Sequence, residues 1–227
     1  MKGFINHIPS KFVFGSGSFG KIANEKLPGK KALIVISKGK STRANGYLEH
    51  LENQLKAIGI EFALFDKIEP NPLKPTVMEG AKAARENACD FVIALGGGSV
   101  MDASKAISIM ATNEGDLWDY ILFGRGKKKP FKNSALPLVA ISTTAGTGSE
   151  LDAGGVITNP ETNEKTAVFH ESLFPELVGN GVVSHTHIHL RKQSIRQEDC
   201  AIYDARRKPH GTLFKRHKKA VPQFRNS

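Results

Sequence analysis

The stretch Phe91-Val-Ile-Ala-Leu-Gly-Gly-Gly-Ser-Val-Met-Asp-Ala-Ser-Lys-Ala106 joins an apolar run to three glycines and then to a helix-forming segment. A short continuous apolar run bounded by turn residues marks a buried parallel strand, which places a strand over 91–95. Gly96, Gly97 and Gly98 permit backbone angles closed to other residues and let a ligand approach without a Cβ in the way. Ser99 suits a helix N-cap, and Asp102 would put a carboxylate in the first turn, where the helix dipole favours it. The free N–H groups at such a helix start match the charge of a diphosphate.

Working outward, residues 31–36 (Lys-Ala-Leu-Ile-Val-Ile) read as a second buried strand and residues 60–65 as a third. Between them, Tyr47, Leu48, Leu51, Leu55 and Ile58 recur at helical spacing over 45–58, and Gly59 ends that helix. Glu69-Pro-Asn-Pro72 is a turn leading to a helix over 76–87, whose Val77, Ala81 and Ala84 can pack inward. Alternating strand and helix predicts an α/β fold, an open Rossmann-like, mainly parallel sheet flanked by helices. Residues 15–20 form a formal G-x-G-x-x-G. The helix after it is halted by Pro28-Gly29, and no acidic residue follows about 20 positions on, so it is read as a structural turn.

Length and composition bound the class. A chain of 227 residues, 40% hydrophobic and 24% charged, can bury a sizeable core. No run of about 18 apolar residues exists, and residues 1–9 lack the features of a secretory signal, so a cytoplasmic protein is expected. Cys89 and Cys200 have no metal-site spacing and are expected as free thiols. The net charge of +10 is unevenly placed: residues 1–178 carry 21 Lys and Arg against 19 Asp and Glu, whereas residues 179–227 carry 11 against 3. That basic tail also holds five of the eight histidines and three of the 22 glycines, and its composition predicts disorder.

Residues 136–141 form another strand candidate, which delivers a second polar turn, Ser142-Thr-Thr-Ala-Gly-Thr-Gly-Ser-Glu150. Two such turns, each at the carboxyl end of a parallel strand, would share the sheet edge where open α/β folds bind ligands. A hairpin follows over 156–169. The pair of motifs, GGGSVMDASKA and STTAGTGSE about 40 residues later, resembles the iron-containing alcohol dehydrogenase family. Phe14-Gly15, the Pro70 and Pro72 turn, and residues 171–178 also resemble that family's N-terminal half. The resemblance covers residues 1–178; the Thr-Thr turn favours this branch over glycerol dehydrogenases and dehydroquinate synthases.

The resemblance implies a cofactor-binding domain for hydride transfer between small alcohols and aldehydes. It implies that Gly97, Gly98, Ser99 and Asp102 hold the diphosphate of a nicotinamide cofactor, that Thr143 and Thr144 lie beside it, and that Lys165 approaches a ribose. Family members preferring NAD commonly carry an Asp after the first buried strand, but here the residues are Ser37-Lys-Gly-Lys-Ser-Thr-Arg43. Lys38, Lys40 and Arg43 with the Ser37 and Ser41 hydroxyls would attract a 2′-phosphate, so NADP is expected over NAD. The family's divalent metal, iron, is bound by an Asp, a His four residues later and two further His in a second domain. After Val178 that pattern is missing: Asp199 has Tyr203 four positions on and Asp204 has Lys208, so no metal ligand is assigned. His185-Thr-His-Ile-His189 could place three imidazoles on one strand face. The tail is thus expected to be foreign to the family, through truncation or a reading-frame change, leaving activity impaired. Family members often form homodimers, whereas an exposed interdomain face could drive aggregation instead. The alternative is binding of nucleic acid or an acidic partner through the basic tail.

Overall fold

The computed structural model describes residues 8–15 and 17–180. The chain divides into two units, Met1–His189 and Leu190–Ser227, and only the first contains described residues. The expectations placed on residues 181–227, the histidine run and the basic tail among them, lie outside the described residues.

The elements run β1 (Lys11–Val13), β2 (Lys31–Ser37), α1 (Ser41–Ala44), α2 (Tyr47–Ala57), β3 (Glu61–Ile68), α3 (Lys74–Glu86), β4 (Phe91–Gly96), α4 (Gly98–Thr112), α5 (Leu117–Tyr120), β5 (Leu138–Ser142), β6 (Gly154–Asn159), β7 (Glu164–Phe169) and β8 (Leu177–Asn180). Six strands form one parallel sheet in the order β1-β8-β5-β4-β2-β3, and β6 pairs antiparallel with β7 as a separate hairpin. The expected α/β Rossmann-like fold is therefore present. From β2 the chain steps outward to β3, then returns to lay β4, β5 and β8 on the other side, so the winding reverses between β2 and β4.

The period of two along each strand sorts its side chains between two cores. Leu33 and Val35 of β2, with Val92 and Ala94 of β4, face α3, α4 and the hairpin. Ala32, Ile34 and Ile36, with Phe91, Ile93 and Leu95, face Leu48, Leu51 and Leu55 of α2. Both faces are covered, which is why these strands read as unbroken apolar runs. Val77, Ala81 and Ala84 are fully buried on α3. Gly80 lets α3 approach α4, because a Cβ there would lie 2.5 Å from Ile107 Cδ1. Among the described residues no helix is long and apolar enough to cross a membrane.

Three local expectations are corrected. The helix expected over 45–58 is α2 alone, Tyr47–Ala57, entered through Gly46 in the left-handed region at φ 72°, and the short α1 precedes it. Ile58 lies beyond the end of α2 and is 42% exposed, so it belongs to the turn and not to the apolar stripe. The N-cap of α4 is Gly97 rather than Ser99, and Asp102 falls past the first turn. Extended backbone at Gly97 caps the helix through its carbonyl, which accepts from Val100 N at 3.0 Å and Met101 N at 3.1 Å.

Candidate functional site

The cleft sits where the winding reverses. Its volume is about 260 Å³, and its walls come from the ends of β2, β3, β4 and β5. β4 contributes Gly96 through Val100, β5 contributes Thr143 and Thr144, and β2 with α1 contributes Ser37, Ser41 and Thr42. Thr143 N donates to Gly96 O at 2.9 Å, which fixes the two turns to each other. A Cβ on Gly97 would lie 3.0 Å from Thr144 Oγ1, and one on Gly98 would lie 2.8 Å from Thr147 Cγ2. Glycine at these positions keeps the gap between the turns open. Gly98 and Ser99, whose N–H groups precede the first bonds of α4, both line the cleft.

Seven of the eleven residues expected at the site therefore meet in one cleft: Ser37, Ser41, Gly97, Gly98, Ser99, Thr143 and Thr144. The other four do not line it. Arg43 donates to Asp66 Oδ2 at 2.7 Å, and Lys38 is an exposed neighbour of the cleft. Lys165 Nζ donates to Asn71 Oδ1 at 2.7 Å. Asp102 has both oxygens occupied, accepting from Ser149 Oγ at 2.6 Å and from Val156 N at 3.1 Å.

Asp102 works with a residue that sequence reasoning passed over. Lys105, one turn further along α4, is fully buried, and its Nζ donates to Ser149 O at 2.5 Å, Asp152 Oδ1 at 2.6 Å and Gly154 O at 2.8 Å. Burial pushes its pKa down, against the opposing pull of Asp152. Together Asp102 and Lys105 clamp the helix that starts at the glycine turn onto the segment that follows the threonine turn. The available signal was a lone lysine among small and apolar residues, Ala103-Ser-Lys-Ala-Ile107. Such a charge is retained inside a helix surface only where acceptors meet it.

The hairpin is fastened to the β3–α3 turn and to α5. Thr158 N donates to Pro72 O at 2.9 Å, and Lys74 Nζ lies 2.8 Å from Glu161 and 3.1 Å from Asp116. Glu164 accepts from Trp118 Nε1 at 2.9 Å, from Thr162 Oγ1 at 2.8 Å and from Arg125 N at 2.8 Å. The Trp118 bond leads the causes that hold the Glu164 carboxyl below its usual range. No group of three His, Cys, Asp or Glu among the described residues could hold a metal ion.

A doubly wound sheet with glycine and hydroxyl turns at its switch point defines a Rossmann-like cleft of the kind that takes nucleotides. The profile of the family described as iron-containing alcohol dehydrogenase matches residues 9–179, and the chain belongs to that family. It is 40% identical over 178 residues to NADH-dependent butanol dehydrogenase A of Clostridium acetobutylicum, covering 78% of this chain and 44% of that one. It is 37% identical over 163 residues to 1,3-propanediol dehydrogenase of Klebsiella pneumoniae, covering 71% and 41%. Among solved structures, NADH-dependent butanol dehydrogenase A of Thermotoga maritima superposes with a TM-score of 0.73 at 34% identity, over 82% of this chain and 46% of that one. Sulfoacetaldehyde reductase of Bifidobacterium kashiwanohense, solved with NAD+, gives 0.69 at 28% identity, over 82% and 48%. The chain thus spans less than half the length of these relatives.

Proposed function

We propose that residues 1–178 are the cofactor-binding half of an alcohol dehydrogenase acting on small alcohols and aldehydes, and that the cleft between β2 and β4 takes a nicotinamide cofactor. The observation that carries this reading is the pairing of two polar turns at the switch point, with glycine wherever a side chain would close the gap. Amides at the start of α4 and the Ser99 hydroxyl would bind the diphosphate, while Thr143 and Thr144 would satisfy polar groups along its flank. The bound cofactor supplies the hydride acceptor. Asp102 and Lys105 serve from behind, holding the two turns at a fixed separation, and Lys165 reaches a ribose by leaving Asn71.

NADP is the preferred form in this reading. No carboxylate follows β2, and Lys38 and Lys40 stand beside Ser37 and Ser41 to meet a 2′-phosphate. Arg43 adds less, because Asp66 already holds it. The relatives named NADH-dependent make the comparison of cofactors a direct test. Sequence 179–227 carries no Asp with a His four positions later, so the polypeptide of this sequence alone is proposed to bind cofactor with little alcohol turnover. Calorimetric titration with NADP and NAD tests the binding. The expected result is saturable binding of both, tighter for NADP, weakened at least about tenfold by Gly97→Val. Tighter NAD binding would overturn the NADP preference, and no binding of either would overturn the cofactor reading itself.

A further inference from the structure

The residues after β2 contain no acid, yet the fold delivers one to the same cleft from the neighbouring strand. β3 lies beside β2, with Ser37 in register with Ile68 and Lys38 N donating to Ile68 O at 2.9 Å. The next residue is Glu69, which emerges at the sheet edge beside Ser37 and Lys38 and forms part of the cleft wall. It is the only carboxylate among the cleft-lining residues. Its Oε1 accepts from Leu73 N at 2.9 Å and from Thr76 Oγ1 at 2.9 Å, bonds that belong to the turn entering α3. Those two bonds fix the carboxylate in place, and among the described residues no hydrogen bond engages Oε2.

The order of the sheet assigns a partner. A diphosphate on the start of α4 divides the cleft into a side under β5, lined by Thr143 and Thr144, and a side under β2 and β3. On the cofactor reading the adenosine half takes the β2 and β3 side, where Lys38 and Lys40 would meet a 2′-phosphate. The ribose presents hydroxyl donors, and a fixed carboxylate oxygen is the strongest acceptor for them on that side. We propose that Glu69 accepts a hydrogen bond from the adenosine ribose and does from β3 what an acid after β2 does elsewhere. It then opposes the cations: Lys38 and Lys40 attract a 2′-phosphate, and Glu69 repels it. The cofactor balance is set between these two strand ends, and Glu69 narrows the margin by which the native chain favours NADP. This inference rests on the cofactor reading above.

Glu69→Gln is the informative variant, because its amide oxygen can still accept from Leu73 N and Thr76 Oγ1 while the charge is gone. NADP and NAD are titrated calorimetrically into the full chain and into the variant. The expected outcome is weaker NAD binding and tighter NADP binding in the variant, a shift of about tenfold or more in their ratio. Equal weakening of both cofactors, or an unchanged ratio, would overturn the role of Glu69 while leaving the cofactor reading intact. Failure of the native chain to bind either would overturn both. Adenosine 5′-monophosphate and adenosine 2′,5′-bisphosphate, titrated in parallel, should show the same shift, since the effect lies in the adenosine half; its absence with these fragments would also overturn the inference.

Discussion

Replacing Lys105 by methionine removes an ammonium but keeps most of the buried stem. What is lost can be counted from the geometry. The Ser149 and Gly154 carbonyls lose their donor at 2.5 and 2.8 Å, in residues that are themselves buried. Leaving a buried acceptor unsatisfied costs about 1–3 kcal/mol. The Asp152 side chain is 57% exposed, so its carboxylate returns to water at little cost, and that ion pair adds less than a fully buried one. Against this stands relief from burying a charge, the penalty that pushes the Lys105 pKa down. The net expectation is a loss of about 3 kcal/mol by urea denaturation, with unchanged dependence on denaturant. Hydrogen exchange should accelerate over residues 143–156 more than in β2 or β4, and cofactor affinity should fall with it. A loss below about 1 kcal/mol with unaltered affinity would refute the reasoning, by showing that the clamp does not set the separation of the turns. The pH dependence has a definite sign. Because the folded pKa lies below that of an unfolded lysine, the native state releases the proton first. The stability of the native chain relative to Lys105→Met should therefore rise as pH climbs through the alkaline range toward the ordinary lysine value.

Other perturbations separate packing from charge. Gly155→Ala places a Cβ 2.6 Å from the Asp102 carbonyl oxygen, a backbone atom that cannot turn aside, and should cost about 2 kcal/mol while displacing the hairpin; thermal unfolding within error of the native chain would contradict this. Arg43→Ala removes a pair whose two side chains are each 44% exposed, and should change stability by less than about 1 kcal/mol. It should also leave NADP affinity nearly unchanged, and a large loss would return Arg43 to the phosphate. Glu164→Gln weakens the acceptor shared by Trp118 and Arg125, so intrinsic Trp118 fluorescence should lose its acid titration, which in the native chain occurs below the usual carboxylate range.

The layered sheet was legible because each central strand is buried on both faces and announces itself as an apolar run ended by turn residues. The glycine turn was legible because glycine and hydroxyl residues there contradict the pattern on either side. The errors share a physical origin in partners distant along the chain. Arg43 looked like a phosphate ligand because Asp66, 23 residues away, could not be seen to claim it. Asp102 looked like a dipole-stabilising residue because Ser149 and Val156, 47 and 54 residues away, are brought to it only by the hairpin's approach to α4. Glu69 read as a turn residue, since its nearness to Ser37 depends on the register of β2 against β3. Ser99 was chosen as cap over Gly97 because side-chain capping has a sequence signature and capping by a backbone carbonyl does not.

The clamp between α4 and the segment after β5 has a consequence for the order of folding. Its bonds join residues 44 to 54 positions apart, so none can form while only the first four strands are in place. The pairing of β2 with β3 needs no residue beyond Ile68, so it can precede the clamp. A chain halted after β4 would hold the glycine turn without its facing wall. Cofactor should then stabilise the native state chiefly by slowing its unfolding and leave the refolding rate almost unchanged, and stopped-flow measurements with and without NADP would read that asymmetry directly.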